Sequence, residues 1–230
     1  MTTRQRPFPR PEALIFDMDG TLFRTETLLV PAYERAFLRL GQEGLYQGEV
    51  PPVSIIMASL GMLLKEIWAR VLPSSGPEVH ARLDAIFLEE QLALLREGSG
   101  ELYPDVEGTL HALRAAGFRL FVASNGHEAY VKGVAGEKHI AELFEGMYSA
   151  GEYGTGTKVD LVRLLLEHSG VRTAWMVGDR LSDVEAGKDN GLPVVGCDYA
   201  EFGVPSSELD QADMRIRSFA ELLHIIAGSG

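Results

Sequence analysis

Hydrophobic positions along the chain follow two rhythms. Short apolar runs recur at "ALIF" (13–16), "RLFVAS" (119–124), "AWMVGD" (174–179), "PVVG" (193–196) and "MRI" (214–216), the pattern of buried strands. Between them lie segments of helical period. In "KVDLVRLLLEHSG", Val159, Val162, Leu165 and Leu166 share one predicted face, and Gly170 is placed to end the helix. A last helix is expected to open with Ser218 and Glu221 as a capping box and to fade into "AGSG". Strands alternating with amphipathic helices need crossover connections, so the pattern predicts an α/β fold on a parallel sheet.

Residues 25–100 break this rhythm. They contain no convincing strand and show helical patterns near 27–40, 54–72 and 78–96, with "PSSGP" (73–77) as a turn and "EGSGELYPD" (97–105) as a linker. The expected organisation is a discontinuous core, residues 1–24 and 101–230, interrupted once after its first strand by a helical insertion at 25–100. No internal repeat or low-complexity segment disturbs that division.

Composition narrows the function. The 230 residues suffice for a sizeable core, and 46% hydrophobic with 23% charged residues is ordinary for a globular protein. A net charge of -12 argues against a nucleic-acid partner, whose phosphates demand clustered Lys and Arg. No run approaches the roughly 18 apolar residues of a membrane span, and the first ten residues, "MTTRQRPFPR", read as neither signal nor anchor. With Cys197 as the single cysteine, the expectation is a reducing, cytoplasmic setting. Cys197 itself is expected in the core, the six histidines show no metal spacing and are expected on surfaces or helix faces, and Trp68 and Trp175 read as packing.

The chemistry lies where the apolar runs stop. In a parallel sheet the loops at the carboxyl ends of the strands converge on one edge, where ligands bind. Asp17 and Asp19 follow the first run, Ser124 and Asn125 the second, and Asp179 and Asp183 the third, while Lys158 precedes a helix. Each could be a turn former or cap taken alone; their convergence is the signal. Ionised carboxylates ~4 Å apart repel by about 4 kcal/mol at an effective dielectric near 20, so the cluster needs a cation. Hard carboxylate oxygens without His or Cys select Mg²⁺.

The segments "DMDGT" (17–21), "SN" (124–125), Lys158 and "GDRLSD" (178–183), in this order, resemble the four motifs of the haloacid dehalogenase superfamily of aspartate-nucleophile phosphatases. The insertion resembles the small helical cap found in its phosphoglycolate phosphatases and β-phosphoglucomutases. The resemblance covers almost the whole chain. It implies a Rossmann-like sheet with helices on both faces, and a mobile cap that carries substrate specificity. It further implies that Asp17 attacks phosphorus and Asp19 acts as general acid and base. Ser124, Asn125 and Lys158 would then neutralise the phosphoryl oxygens. Mg²⁺ would be held by Asp17, the Asp19 carbonyl and Asp179, with Asp183 as ligand or orienter. The chain departs from the common pattern at Arg180 and Arg24. Arg24 and, in the insertion, Lys65 are further candidates for contact with a substrate anion.

Three functions stay open on the sequence. The first is a Mg²⁺-dependent phosphatase acting on a small phosphorylated metabolite such as phosphoglycolate, a sugar phosphate, a nucleotide or pyrophosphate. The second is a phosphosugar mutase on the same core. The third is a non-catalytic binding module, disfavoured because every group the chemistry requires is retained. A dehalogenase fits less well, since halide displacement has no use for Asp19. The sequence carries no feature that sets an oligomeric state.

Overall fold

A computed structural model describes residues 8–62, 64–199 and 206–228, with the side chains of Leu64, Lys65 and Ser206 excepted. Six strands, β1 (Ala13–Phe16), β4 (Arg119–Ser124), β5 (Gly146–Ser149), β6 (Ala174–Gly178), β7 (Val194–Cys197) and β8 (Met214–Ile216), form one sheet. Their spatial order is β5-β4-β1-β6-β7-β8, and every pair is parallel. The central strand β1 is buried at all four residues, as its unbroken apolar run predicts.

Alternation along the strands divides the core in two. Leu14, Phe16, Leu120, Val122, Trp175 and Val177 point to one face. There they meet α5 (Val106–Ala115), α6 (Glu128–Glu137) and α10 (Glu221–Ala227). Ala13, Ile15, Phe121, Ala123, Ala174 and Met176 point to the other, against α8 (Lys158–Ser169) and α9 (Leu181–Asp189). The result is the expected Rossmann-like α/β sandwich, helices on both faces. Cys197 is buried in it as a free thiol, and Trp175 is among its largest buried side chains.

The chain leaves the core through β2 (Phe23–Arg24) and returns through β3 (Glu101–Leu102), which pair antiparallel in a small separate ladder. Between them stand α1 (Glu26–Gln42), α2 (Val53–Met57), α3 (Leu64–Val71) and α4 (Pro77–Arg96). α1 and α4 pack along each other through Leu29, Tyr33, Phe37, Leu83, Ile86 and Leu94. Arg39 joins them at the surface, donating to Glu89 and Glu90 at 2.7 Å each.

Four details differ from the sequence reading. The pattern over 54–72 is two helices, broken beside Gly61, whose φ of +86° suits glycine. β5 was not expected, because "GMYS" carries little apolar signal at a sheet edge. In α8 the fully buried face is Lys158, Leu161, Val162 and Leu165, while Val159 and Leu166 are only partly covered. At the last helix, Ser218 Oγ meets the Glu221 carboxylate at 3.3 Å instead of capping a backbone N–H, and α10 begins at Glu221. No helix among the described residues is long and apolar enough to cross a membrane.

Candidate active site

The loop after β1 turns sharply. Leu22 and Phe23 both donate backbone N–H groups to the Met18 carbonyl, and Gly20 donates to Phe23 at 3.0 Å. Gly20 sits at φ +78°, and a Cβ there would run into the Asp179 carboxylate. Glycine thus meets two demands at once, left-handed backbone and close approach. The turn delivers Asp17, 3% exposed, and Asp19 to the carboxyl edge of the sheet.

Neighbouring strands bring the remaining groups. Lys158 opens α8 behind the N-cap Thr157, whose hydroxyl accepts from the Asp160 N–H. It is 3% exposed, with Nζ 2.8 Å from Asp17 Oδ1 and 2.5 Å from Asp183 Oδ1. This explains the shifted face of α8: the lysine must point inward, and Leu161, Val162 and Leu165 share its side of the helix. Asp183, in the first turn of α9, spends its other oxygen on the N–H groups of Asp179 and Arg180, at 3.1 and 3.0 Å. Asp179, just past β6, accepts from the Thr21 hydroxyl at 3.1 Å.

Carboxylate oxygens of Asp17, Asp179 and Asp183 lie within 4.8 Å of one another, all buried. Burial, then the charge of Asp183, pushes the Asp17 carboxyl up to about 7 against the pull of Lys158. Asp179 is pushed well above the usual carboxylate range by burial and by Asp183 and Asp17. Burial acts against the charged form of Lys158, but Asp17 and Asp183 outweigh it and hold the ammonium above its ordinary value. One lysine facing this many carboxylates leaves excess negative charge in a dry site. An all-oxygen donor set of this kind fits a hard divalent cation.

Asp17, Asp19, Ser124, Asn125 and Lys158 line a single pocket. Asp179 and Asp183 are not part of its wall and stand beside Asp17 in the carboxylate cluster. The opposite wall comes from the helical insertion: Ile56, Leu60, Met62, Ile67, Trp68 and Phe87. Two polar links span the gap. Asn125 Nδ2 donates to the Gly61 carbonyl at 2.7 Å, and His127 Nε2 lies 2.7 Å from Asp84 Oδ2, whose other oxygen accepts from Trp68 Nε1 at 2.6 Å. Arg24 instead pairs with Glu101 at 2.8 Å and Glu26 at 3.4 Å and is not in the pocket wall. The Lys65 side chain lies outside the described residues.

Several site residues escaped the sequence reading. Thr25 and Tyr130 both donate to Asp19 Oδ1. Burial raises the Asp19 carboxyl, and these two donors oppose that rise. Burial and the adjacent Asp19 hold the Tyr130 phenol well above its ordinary value, so it remains a donor. His127, expected on a surface or helix face, lines the pocket. Tyr130 shares a helix face with Val131 and Val134, and on pattern alone it reads as core.

Comparison with known proteins identifies the family. The family pattern described as haloacid dehalogenase-like hydrolase matches residues 11–191. The chain belongs to the haloacid dehalogenase-like hydrolases. Among relatives of this hydrolase family, the phosphoglycolate phosphatase of Pseudomonas putida is 29% identical over 84% of this chain and 71% of its own length. That of Escherichia coli is 28% identical over 90% and 89%. A solved structure, CbbY from Rhodobacter sphaeroides in complex with phosphate, superposes with a TM-score of 0.73 at 27% identity, covering 94% of this chain and 99% of that one. A predicted phosphoglycolate phosphatase from Haemophilus somnus shares the fold with a TM-score of 0.79 at 23% identity, over 94% and 98% of the two chains. As a haloacid dehalogenase-like hydrolase with phosphatase relatives, the protein is a phosphatase enzyme.

Proposed function

We propose that the protein is a Mg²⁺-dependent phosphatase that hydrolyses a small phosphorylated metabolite through an aspartyl-phosphate on Asp17. The observation that carries this reading is the convergence of Asp17, Asp19, Ser124, Asn125 and Lys158 on one pocket beside the buried carboxylate cluster. A Mg²⁺ ion held by Asp17, the Asp19 carbonyl and Asp179 would offset phosphate and carboxylate charge. Asp183 serves best as an orienter, since Lys158 and two backbone N–H groups already occupy its oxygens.

The chain's own groups divide the work. Lys158 fixes the Asp17 carboxylate and presents positive charge to the phosphoryl oxygens. The Ser124 hydroxyl and the Asn125 N–H bind the same oxygens. Asp19 gives a proton to the departing ester oxygen and takes one from the water that later attacks the phosphoenzyme. Residues 25–100 act as a cap over residues 1–24 and 101–230, excluding water when Asn125 and His127 hold their partners Gly61 and Asp84.

The relative CbbY was solved, as an Asp-to-Asn variant, with xylulose-(1,5)bisphosphate, and curated relatives are named phosphoglycolate phosphatases. Both compounds belong in the test. Phosphate release is measured from phosphoglycolate, sugar phosphates and bisphosphates, nucleoside monophosphates and pyrophosphate, with Mg²⁺ or with chelator, using Asp17→Asn protein as blank. Metal-dependent release that the variant lacks supports the reading. Isomer exchange of a hexose phosphate without free phosphate would replace it with a mutase, and release equal in the variant would remove Asp17 as nucleophile.

A further inference from the structure

Asp19 Oδ1 receives two hydroxyl donors, Thr25 Oγ1 at 2.6 Å and Tyr130 OH at 2.5 Å. Thr25 stands at the start of α1, and Tyr130 comes from the first turn of α6, 111 residues beyond Asp19 in sequence. A carboxyl oxygen offers two lone-pair sites, so these donors fill it. Among the described residues, no hydrogen bond is made to Oδ2. Tyr130 is 5% exposed and stands on a face with Val131, Val134 and Ala135, where a phenylalanine would pack as well. Its hydroxyl is desolvated there, and Asp19 is the partner that compensates it.

We propose that Tyr130 is a positioning residue for the phosphatase reaction: together with Thr25 it saturates Asp19 Oδ1, confines the acidic proton to Oδ2 and holds that oxygen toward the departing ester oxygen. The inference rests on the assignment of Asp19 as the general acid. In the step concerned, a carboxylate oxygen of Asp17 forms a bond to phosphorus and the ester P–O bond breaks. Its electron pair goes to the leaving oxygen, which takes the proton from Asp19 Oδ2. Without the Tyr130 hydroxyl, Oδ1 regains an open site, and the proton divides between two oxygens of which one faces away from the substrate. The same carboxyl must recover the proton from water in the second half of the cycle, and a single defined oxygen serves both halves.

The test compares kcat/KM, which reports the first phosphoryl transfer, for the best alkyl phosphate of the substrate panel and for p-nitrophenyl phosphate. The aryl ester leaves as a stable phenolate and has little need of an acid. Tyr130→Phe is expected to lower the alkyl-to-aryl ratio about tenfold, a fraction of the roughly 10²–10⁴ that a positioned acid supplies. Thr25→Val, which empties the other site on the same oxygen, shifts the ratio in the same direction and carries the test should Tyr130→Phe fail to fold. Asp19→Asn shifts it most. If Asp19→Asn lowers the ratio and the Tyr130 and Thr25 variants do not, the proposal is wrong. A parallel loss on both esters in Tyr130→Phe assigns the tyrosine a merely structural role and also overturns it. An unchanged ratio in Asp19→Asn instead removes Asp19 as the acid, a different failure.

Discussion

Removing the Asp17 charge should stabilise the metal-free fold, and the gain should depend on pH in a defined direction. The Asp17 carboxyl is pushed from 3.8 to about 7 by burial and by neighbouring carboxylates. The difference of about 3 units, at 1.36 kcal/mol each, makes ionised Asp17 a burden of about 4 kcal/mol on the folded chain above pH 7. Because the folded-state value lies above the unfolded one, the folded chain holds the proton more tightly. The burden is complete above about 7 and fades as pH falls toward the unfolded value near 4. In Asp17→Asn the amide stays neutral at every pH. With chelator at pH 8 the variant should melt above the wild type by roughly 8–16 °C, taking 2–4 °C per kcal/mol for a chain of this size. At pH 4.5 about 1 kcal/mol of the burden is left, and the gap should shrink to roughly 2–4 °C. Added Mg²⁺ should raise the wild-type melting temperature at pH 8 and close most of the gap. Differential scanning calorimetry over this pH range is the assay. A variant that melts at or below the wild type at pH 8, or a gain that ignores pH, would show that Lys158 already compensates the cluster and would refute the reasoning.

Other residues make separate predictions. Gly20→Ala, forced into a positive φ with its Cβ against Asp179, should weaken Mg²⁺ binding about 10–100-fold by titration calorimetry; unchanged affinity would mean the loop has room that the geometry denies. Asp84→Ala releases both Trp68 and His127 and should raise KM about 5–30-fold, the equivalent of 1–2 kcal/mol of lost contact across the pocket, with a smaller change in kcat; an unaltered KM would show that substrate binding does not draw on this link. Arg119 holds the Glu145 carboxyl below its ordinary value of 4.5 through a side-chain hydrogen bond. Stability from a depressed carboxylate is present above that value and lost as pH falls through the folded one. The difference between wild type and Arg119→Ala in urea should therefore be largest near neutrality and shrink below pH 4, and a pH-independent difference would contradict it.

What the sequence disclosed was local, and what it concealed was long-range. The strands β1, β4 and β6 announced themselves as apolar runs, and the polar residues that end them had to share an edge once the sheet was parallel. β5 stayed hidden because an edge strand needs only half an apolar pattern, and "GMYS" supplies less than that. The break between α2 and α3 was masked by apolar residues on both sides of it. At the break the Gly61 carbonyl accepts from Asn125, 64 residues away, a contact that sequence spacing does not show. Thr25, Tyr130 and His127 were missed for the same reason, since each is identified by a partner and not by its neighbours in sequence. The inward face of α8 was misplaced by one position of the helical wheel because a buried lysine does not register as apolar, although Lys158 was itself singled out.

The ladder of β2 and β3 has a consequence for how such a molecule can change. Phe23 stands opposite Leu102 and Arg24 opposite Glu101, so the helical block departs and returns through adjacent residues. Joining one strand directly to the other would require only a tight turn, and lengthening or exchanging the block adds little closure entropy, since that cost grows slowly with loop length. The chain path thus lets the block be rewritten as a unit beyond its first residue, while Thr25 at its base keeps its hydroxyl on Asp19.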